Sequence, residues 1–211
     1  RHKDLMTRVT RLPKTDQYAS VSRDGTLRVW NHERAAAASG KTSKHSAAVA
    51  AAVGGKLADA LLPPFSLHRV VHPGSAYLND AALLPVTDRL AVASHDRCVR
   101  VYETKGWTES GASRSFDHAP LCLAAFPGGR RVAPGARDVD HLIVGDDGGA
   151  LHLLDVIDLT DGEKAEVGGT ASVKIQRRWR KKIHDGWVHA LARCDDDDRG
   201  TTERANSSIS L

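Results

Sequence analysis

Long apolar runs are missing from this 211-residue chain. No stretch of about 18 apolar residues occurs, so no membrane-spanning helix is expected. Cysteine is scarce: Cys98, Cys122 and Cys194 stand far apart and are odd in number. No CxxC pair is present, so structural zinc is not expected. That cysteine usage fits a reduced, intracellular compartment. An excess of one charge is lacking too. The 30 basic and 26 acidic residues leave a net charge of +4, too mild to imply nucleic acid by itself. The opening "RHKDLM" has no initiator methionine, signal peptide or transit sequence, and reads as a start inside a longer protein. The pattern GxSxG is missing as well, so no serine sits on a nucleophile elbow.

What is present is β-patterned and repeated. Short apolar runs such as "YASVS", "TLRVW", "RLAVAS", "CVRVYE", "HLIVG" and "ALHLLD" are divided by turn residues. Aligned on the turn, they form three copies. Tyr18 to Asn31 reads "YASVSRDGTLRVWN", Leu90 to Glu103 "LAVASHDRCVRVYE" and Leu142 to Asp155 "LIVGDDGGALHLLD". Each is a strand, a tight turn with acid or glycine, and a strand that ends on a bulky residue: Trp30, Tyr102 or Leu154. A further strand precedes each copy: "LMTRVTRLP", "AYLNDAALLP" and "APLCLAAFP". All three close on a proline, which belongs at a strand end or edge because it cannot donate to a ladder. A fourth copy starts at "HDGWVHALARC", His184 to Cys194. The segments 33–64, 128–140 and 159–172 read as insertions in turns, the first with partial helix.

These copies resemble the WD-repeat family of β-propellers, whose repeats run to about 40–45 residues with four strands per blade. The resemblance implies an all-β fold of four-stranded antiparallel blades. Blade one covers about 2–71, blade two 72–116, blade three 117–183 and the start of blade four 184–211. Propellers have about 4–8 blades, so the expectation is a contiguous part of a larger ring. The resemblance also implies a structural hydrogen-bonded tetrad: His2, Ser20, Asp24 and Trp30. Copy two keeps Asp96 but has Val92 and Tyr102 in place of the serine and tryptophan. Copy three has His118, with Val144, Gly148 and Leu154 at the other places. Degenerate copies must lean on apolar packing between blades.

Four features invite a chemical reading. Ser20, His2 and Asp24 are the ingredients of a catalytic triad, and the repeat context assigns them to architecture instead. "SGKTS", Ser39 to Ser43, resembles the tail of a phosphate loop, but the required glycine is replaced by Ala35. Asp195 to Asp198 could attract a cation, yet consecutive aspartates alternate direction and converge poorly, so a solvated turn is expected. No metal or other cofactor is expected.

The fourth feature is "KIQRRWRKKIH", Lys174 to His184. Six of the nine residues from Lys174 to Lys182 are cationic: Lys174, Arg177, Arg178, Arg180, Lys181 and Lys182. As a regular strand it places Ile175, Arg177, Trp179, Lys181 and Ile183 on one face. The other face takes Lys174, Gln176, Arg178, Arg180 and Lys182. It is the outermost strand of blade three. Two readings stand: cations that keep an edge from aggregating, or a contact for a polyanion. The function expected is a non-enzymatic scaffold that binds other proteins in a larger assembly. Its copies look like those of axonemal WD-repeat proteins of cilia, which implies a microtubule partner whose acidic tubulin tails suit the basic strand. Otherwise a cytoplasmic location is expected, and no membrane partner. The alternative is an RNA- or ribosome-assembly factor that binds nucleic acid through the same strand.

Overall fold

The computed structural model describes residues 1–32, 65–113, 116–129, 138–159, 163 and 172–192. Twelve strands form three four-stranded antiparallel sheets. The first sheet holds β1 (Met6–Leu12), β2 (Gln17–Ser22), β3 (Leu27–His32) and β4 (Phe65–Val71), in that order. The second holds β5 (Leu78–Leu83), β6 (Arg89–Ser94), β7 (Cys98–Glu103) and β8 (Glu109–Ser113). The third holds β9 (Pro120–Gly129), β10 (Val139–Asp146), β11 (Ala150–Asp158) and β12 (Val173–Lys182). No ladder joins one sheet to another, so among the described residues the sheets do not close into a continuous barrel. Nor is any described helix long and apolar enough to cross a membrane.

The three central turns share one geometry. Gly25, Arg97 and Gly149 occupy the same place in their hairpins, and all have positive φ, at 75°, 62° and 82°. Glycine takes that conformation freely, whereas a side chain there costs roughly 1–2 kcal/mol. Gly149 has a second reason to be glycine, because a Cβ would come within 2.0 Å of the His184 carbonyl.

Side-chain alternation builds two cores. In β6, Leu90 and Val92 point to the first sheet and pack with Ala19, Val21, Leu27 and Val29. Ala91 and Ala93 point the other way and pack with Leu142, Val144, Leu154 and Val156 of the third sheet. The second sheet is thus sandwiched, which is why "RLAVAS" and "CVRVYE" read as continuous apolar runs. In β11 alternate residues Ala150, His152 and Leu154 are buried while Leu151 and Leu153 are half-buried, so only one face of that sheet is packed.

The edge strands β1, β5 and β9 touch in sequence, and a carboxylate ties them. Asp80, on β5, is 3% exposed. Arg8 of β1 donates to it at 2.5 and 3.1 Å, and the Leu123 N–H of β9 at 2.8 Å. Asp140 of β10 makes a second link. It accepts the N–H groups of Val86 and Thr87, at 2.8 and 3.0 Å, from the β5–β6 turn. On the outer side Arg89 bridges Glu103 and Asp158.

Three sequence expectations need correction. Pro127 does not end its strand: β9 runs on to Gly129, with Pro127 opposite Asp140. A proline is tolerated there because β9 is an edge strand and the ladder shifts register beside it. The fourth copy forms no strand within residues 184–192, although Val188 is buried and donates to the Asp146 carbonyl at 3.1 Å. Strict alternation along β12 also fails, as described below. Insertion 33–64 lies outside the described residues.

Asp80→Ala should lower unfolding stability by about 3 kcal/mol, because it strands the buried Leu123 N–H and unpairs Arg8. Urea unfolding measures this, and a loss under about 1 kcal/mol would contradict the role given to Asp80.

Candidate functional site

The first candidate is built on β2, β3 and the turn between them. β2 carries Ser20 inward and β3 carries Trp30 across from it. Trp30 Nε1 donates to Ser20 Oγ at 2.8 Å. Ser20 Oγ lies 2.8 Å from His2 Nε2, and His2 Nδ1 lies 3.1 Å from Asp24 Oδ2. One set of directions satisfies every group: the indole N–H to the serine, the serine O–H to Nε2, and an Nδ1–H to the carboxylate. That requires a neutral His2 with its proton on Nδ1. Burial pushes the His2 pKa down, more than Asp24 pushes it up. For Asp24, burial alone would raise the pKa. The hydrogen bonds it accepts from the Thr26 hydroxyl, the Lys3 and Thr26 N–H groups and His2 outweigh that, and hold it well below the usual carboxylate range.

Distances alone would suit a catalytic triad. Two observations bear on that chemistry. Ser20 is 2% exposed, and its oxygen accepts the indole N–H. A hydroxyl oxygen has a second lone pair, but an attacking oxygen must be reached by its substrate, and the burial of Ser20 stands against that.

The other copies solve the same turn differently. In copy two Tyr102 is buried in the first core, and Asp96 is held by Arg100 at 2.6 Å. In copy three the carboxylate partner sits one place before the aligned Gly148. Asp147 Oδ1 lies 3.1 Å from His118 Nδ1 and accepts the Ala119 N–H at 3.0 Å. This repeats the way Asp24 meets His2 and the Lys3 N–H. Alignment on the turn missed it because the histidine contact slid by one residue.

A second buried pair lies in the same sheet. Asp146 accepts the N–H groups of Gly148 and Ala150, and lies 2.8 Å from His152 Nε2. His152 is 0% exposed, and its Nδ1 has no hydrogen-bond partner among the described residues. Burial drives its pKa down; Asp146 opposes this, and Arg177 and Arg180 reinforce it. The pair holds the β10–β11 turn.

The basic stretch is β12. Every residue from Gln176 to Lys182 is exposed. Leu153 pairs with Trp179 and Leu154 with Arg177, so Arg178 is an extra residue in a bulge. Directly paired residues share a face. Ile175, Arg177, Arg180 and Lys182 therefore lie on the face of Val156, Leu154, His152 and Ala150. Lys174, Trp179 and Lys181 lie on the face of Ile157, Leu153 and Leu151. Arg178 turns to the buried Asp155, which also pairs with His141 at 2.9 Å. The bulge inverts the expected alternation after Arg177. Cations stand on both faces, with Trp179 between them at 38% exposed.

A cleft of about 480 Å³ opens beside the starts of β1, β5 and β9. Equivalent turn residues Arg23, His95 and Asp147 line it with exposed Tyr77 and Trp187. Among the described residues no group of three or more His, Cys, Asp and Glu side chains is placed to hold a metal. Cys98 and Cys122 are buried and form no disulfide, and burial pushes the Cys122 thiol up to about 11. "SGKTS" and Asp195 to Asp198 lie outside the described residues. Comparison with known proteins gives no matching family and no matching curated protein.

Two outcomes follow. Asp24→Ala should cost about 1–3 kcal/mol, through the donors it leaves unpaired. Trp30→Phe should cost about 1 kcal/mol, since only one hydrogen bond goes. Thermal unfolding of both variants tests this, and an Asp24→Ala melting temperature equal to that of the parent would contradict it. Stability should also depend on pH. His2 and His152 are depressed in the folded chain and sit at about 6.5 when unfolded. Below pH 6.5 the unfolded state binds the extra protons, so stability falls with pH, by up to about 1.4 kcal/mol per pH unit for each histidine. The contribution of the two histidines should level off above pH 7. In His152→Gln the slope between pH 5 and 6.5 should be shallower; an unchanged slope would remove His152 from the account.

Proposed function

We propose that the three sheets are blades of a WD-type β-propeller, and that the protein is a non-enzymatic scaffold that binds an acidic protein partner through β12. Three features support the propeller reading. The sheets are successive four-stranded meanders packed face to face. Their edge strands β1, β5 and β9 touch in order, and their turns share one conformation. Apolar side chains also stand on the two end faces of the array, on the third sheet beside the cations of β12. Phe65, at 40% exposed, and Leu67 lie on the first sheet. Phe126 and Ile143 line a cleft on the third. Such faces call for further sheets.

The observation that carries the functional reading is the exposed cationic strand. Arg178 is held by the buried Asp155 of its own sheet, and Lys182 lies 3.5 Å from the exposed Asp185. A surface of this kind draws a polyanion and binds it in a salt-dependent way. The acidic tails of tubulin fit, which makes an axonemal structural protein on microtubules the reading we adopt. Exposed Trp179 supports a second reading, because an indole among cations also suits single-stranded RNA.

Sedimentation with microtubules separates them. The full chain should pellet with intact microtubules at low salt. It should lose at least tenfold in affinity for microtubules whose acidic tails are removed by protease, and the same for Arg177→Glu/Arg180→Glu/Lys182→Glu. Undiminished binding by that triple variant would rule out β12 as the contact. Salt-sensitive binding to RNA without binding to microtubules would favour the second reading.

A further inference from the structure

β12 pairs with β11 along one edge and ends its sheet, so among the described residues its other edge is open. Among the described residues no strand pairs with that edge. It is also long: ten residues, against seven in β4 and five in β8, the outermost strands of the other sheets. An open edge is a template for another strand, and proteins protect such edges with charge.

The charge here has one sign and stands on both faces. A second copy of β12 laid on this edge would set cation against cation, which is destabilising. An extended acidic strand reverses every one of those contacts. Lys174 and Lys181 would meet its carboxylates on one face, and Arg177, Arg180 and Lys182 on the other. The same residues thus exclude self-pairing and select a partner. Exposed Trp179 adds an apolar contact, and Ile183, at 42% exposed, adds another just past the strand end.

We propose that the open edge of β12 takes up an extended acidic segment of a protein partner as a fifth strand of the third sheet. This rests on the reading of β12 as the contact for an acidic protein. Backbone hydrogen bonds bind the segment, and side chains at period two match it to the cations. A nucleic acid has no peptide groups to continue the ladder, so the edge favours a protein. The segment must be about six to eight residues long to use the strand, acidic, and free of proline in its interior.

The test uses the full chain and three fluorescent octaglutamate peptides read by anisotropy. One is unmodified, one is N-methylated at alternate residues, and one at every residue. In an added strand only alternate N–H groups face the sheet, so the second peptide keeps one edge that can pair and the third keeps none. The third should therefore lose at least tenfold in affinity, while the second stays within about twofold of the unmodified peptide. Equal affinities for the two methylated peptides would overturn strand addition and leave the acidic-partner reading standing. No binding by the unmodified peptide, or full binding by Arg177→Glu/Arg180→Glu/Lys182→Glu, would remove both. A poly-U strand that displaces the unmodified peptide at equal concentration would overturn the choice of a protein partner.

Discussion

One buried carboxylate ties the three sheets together. Asp80 takes two hydrogen bonds from Arg8 of the first sheet and one from the Leu123 N–H of the third. Apolar packing gives the sheets their affinity for one another but little orientation, since such contacts are non-directional. Asp80 and Asp140 supply direction. A buried carboxylate is costly unless fully paired, so each admits only the arrangement that satisfies it. The same logic recurs within sheets, where Asp24, Asp96 and Asp146 hold turns by different partners.

Ser20, His2 and Asp24 stand at triad distances in a buried hydrogen-bonded network. A triad and a structural tetrad need the same directional hydrogen bonds. They differ in what the serine oxygen faces. In this chain it faces an indole N–H in a closed interior. Histidine contributes as a neutral relay that donates at one nitrogen and accepts at the other, and its lowered pKa follows from that burial.

Much of the strand order was legible because turns and alternation are local. "SRDGT", "SHDRC" and "DDGGA" mark the three hairpins whatever surrounds them. β8 was not legible, since "ESGAS" has no apolar pattern and is held by its ladder to β7 and by the Ser110 hydroxyl on Glu103. Asp80 looks like a polar interruption in "AYLNDAALLP", because its partners lie 72 and 43 residues away. The tetrad residues of copy one could be named from the repeat, whereas Asp147 could not, being one place off register. The bulge at Arg178 belongs to the pairing with β11 and leaves no trace in β12 alone.

The central claim is that Ser20 is an internal link and not a nucleophile. Labelling of the folded chain with a fluorophosphonate, read by mass spectrometry of the peptide around Ser20, tests it most directly. The account expects no adduct at Ser20 at neutral pH. Stoichiometric phosphonylation of Ser20 in the folded protein would contradict it.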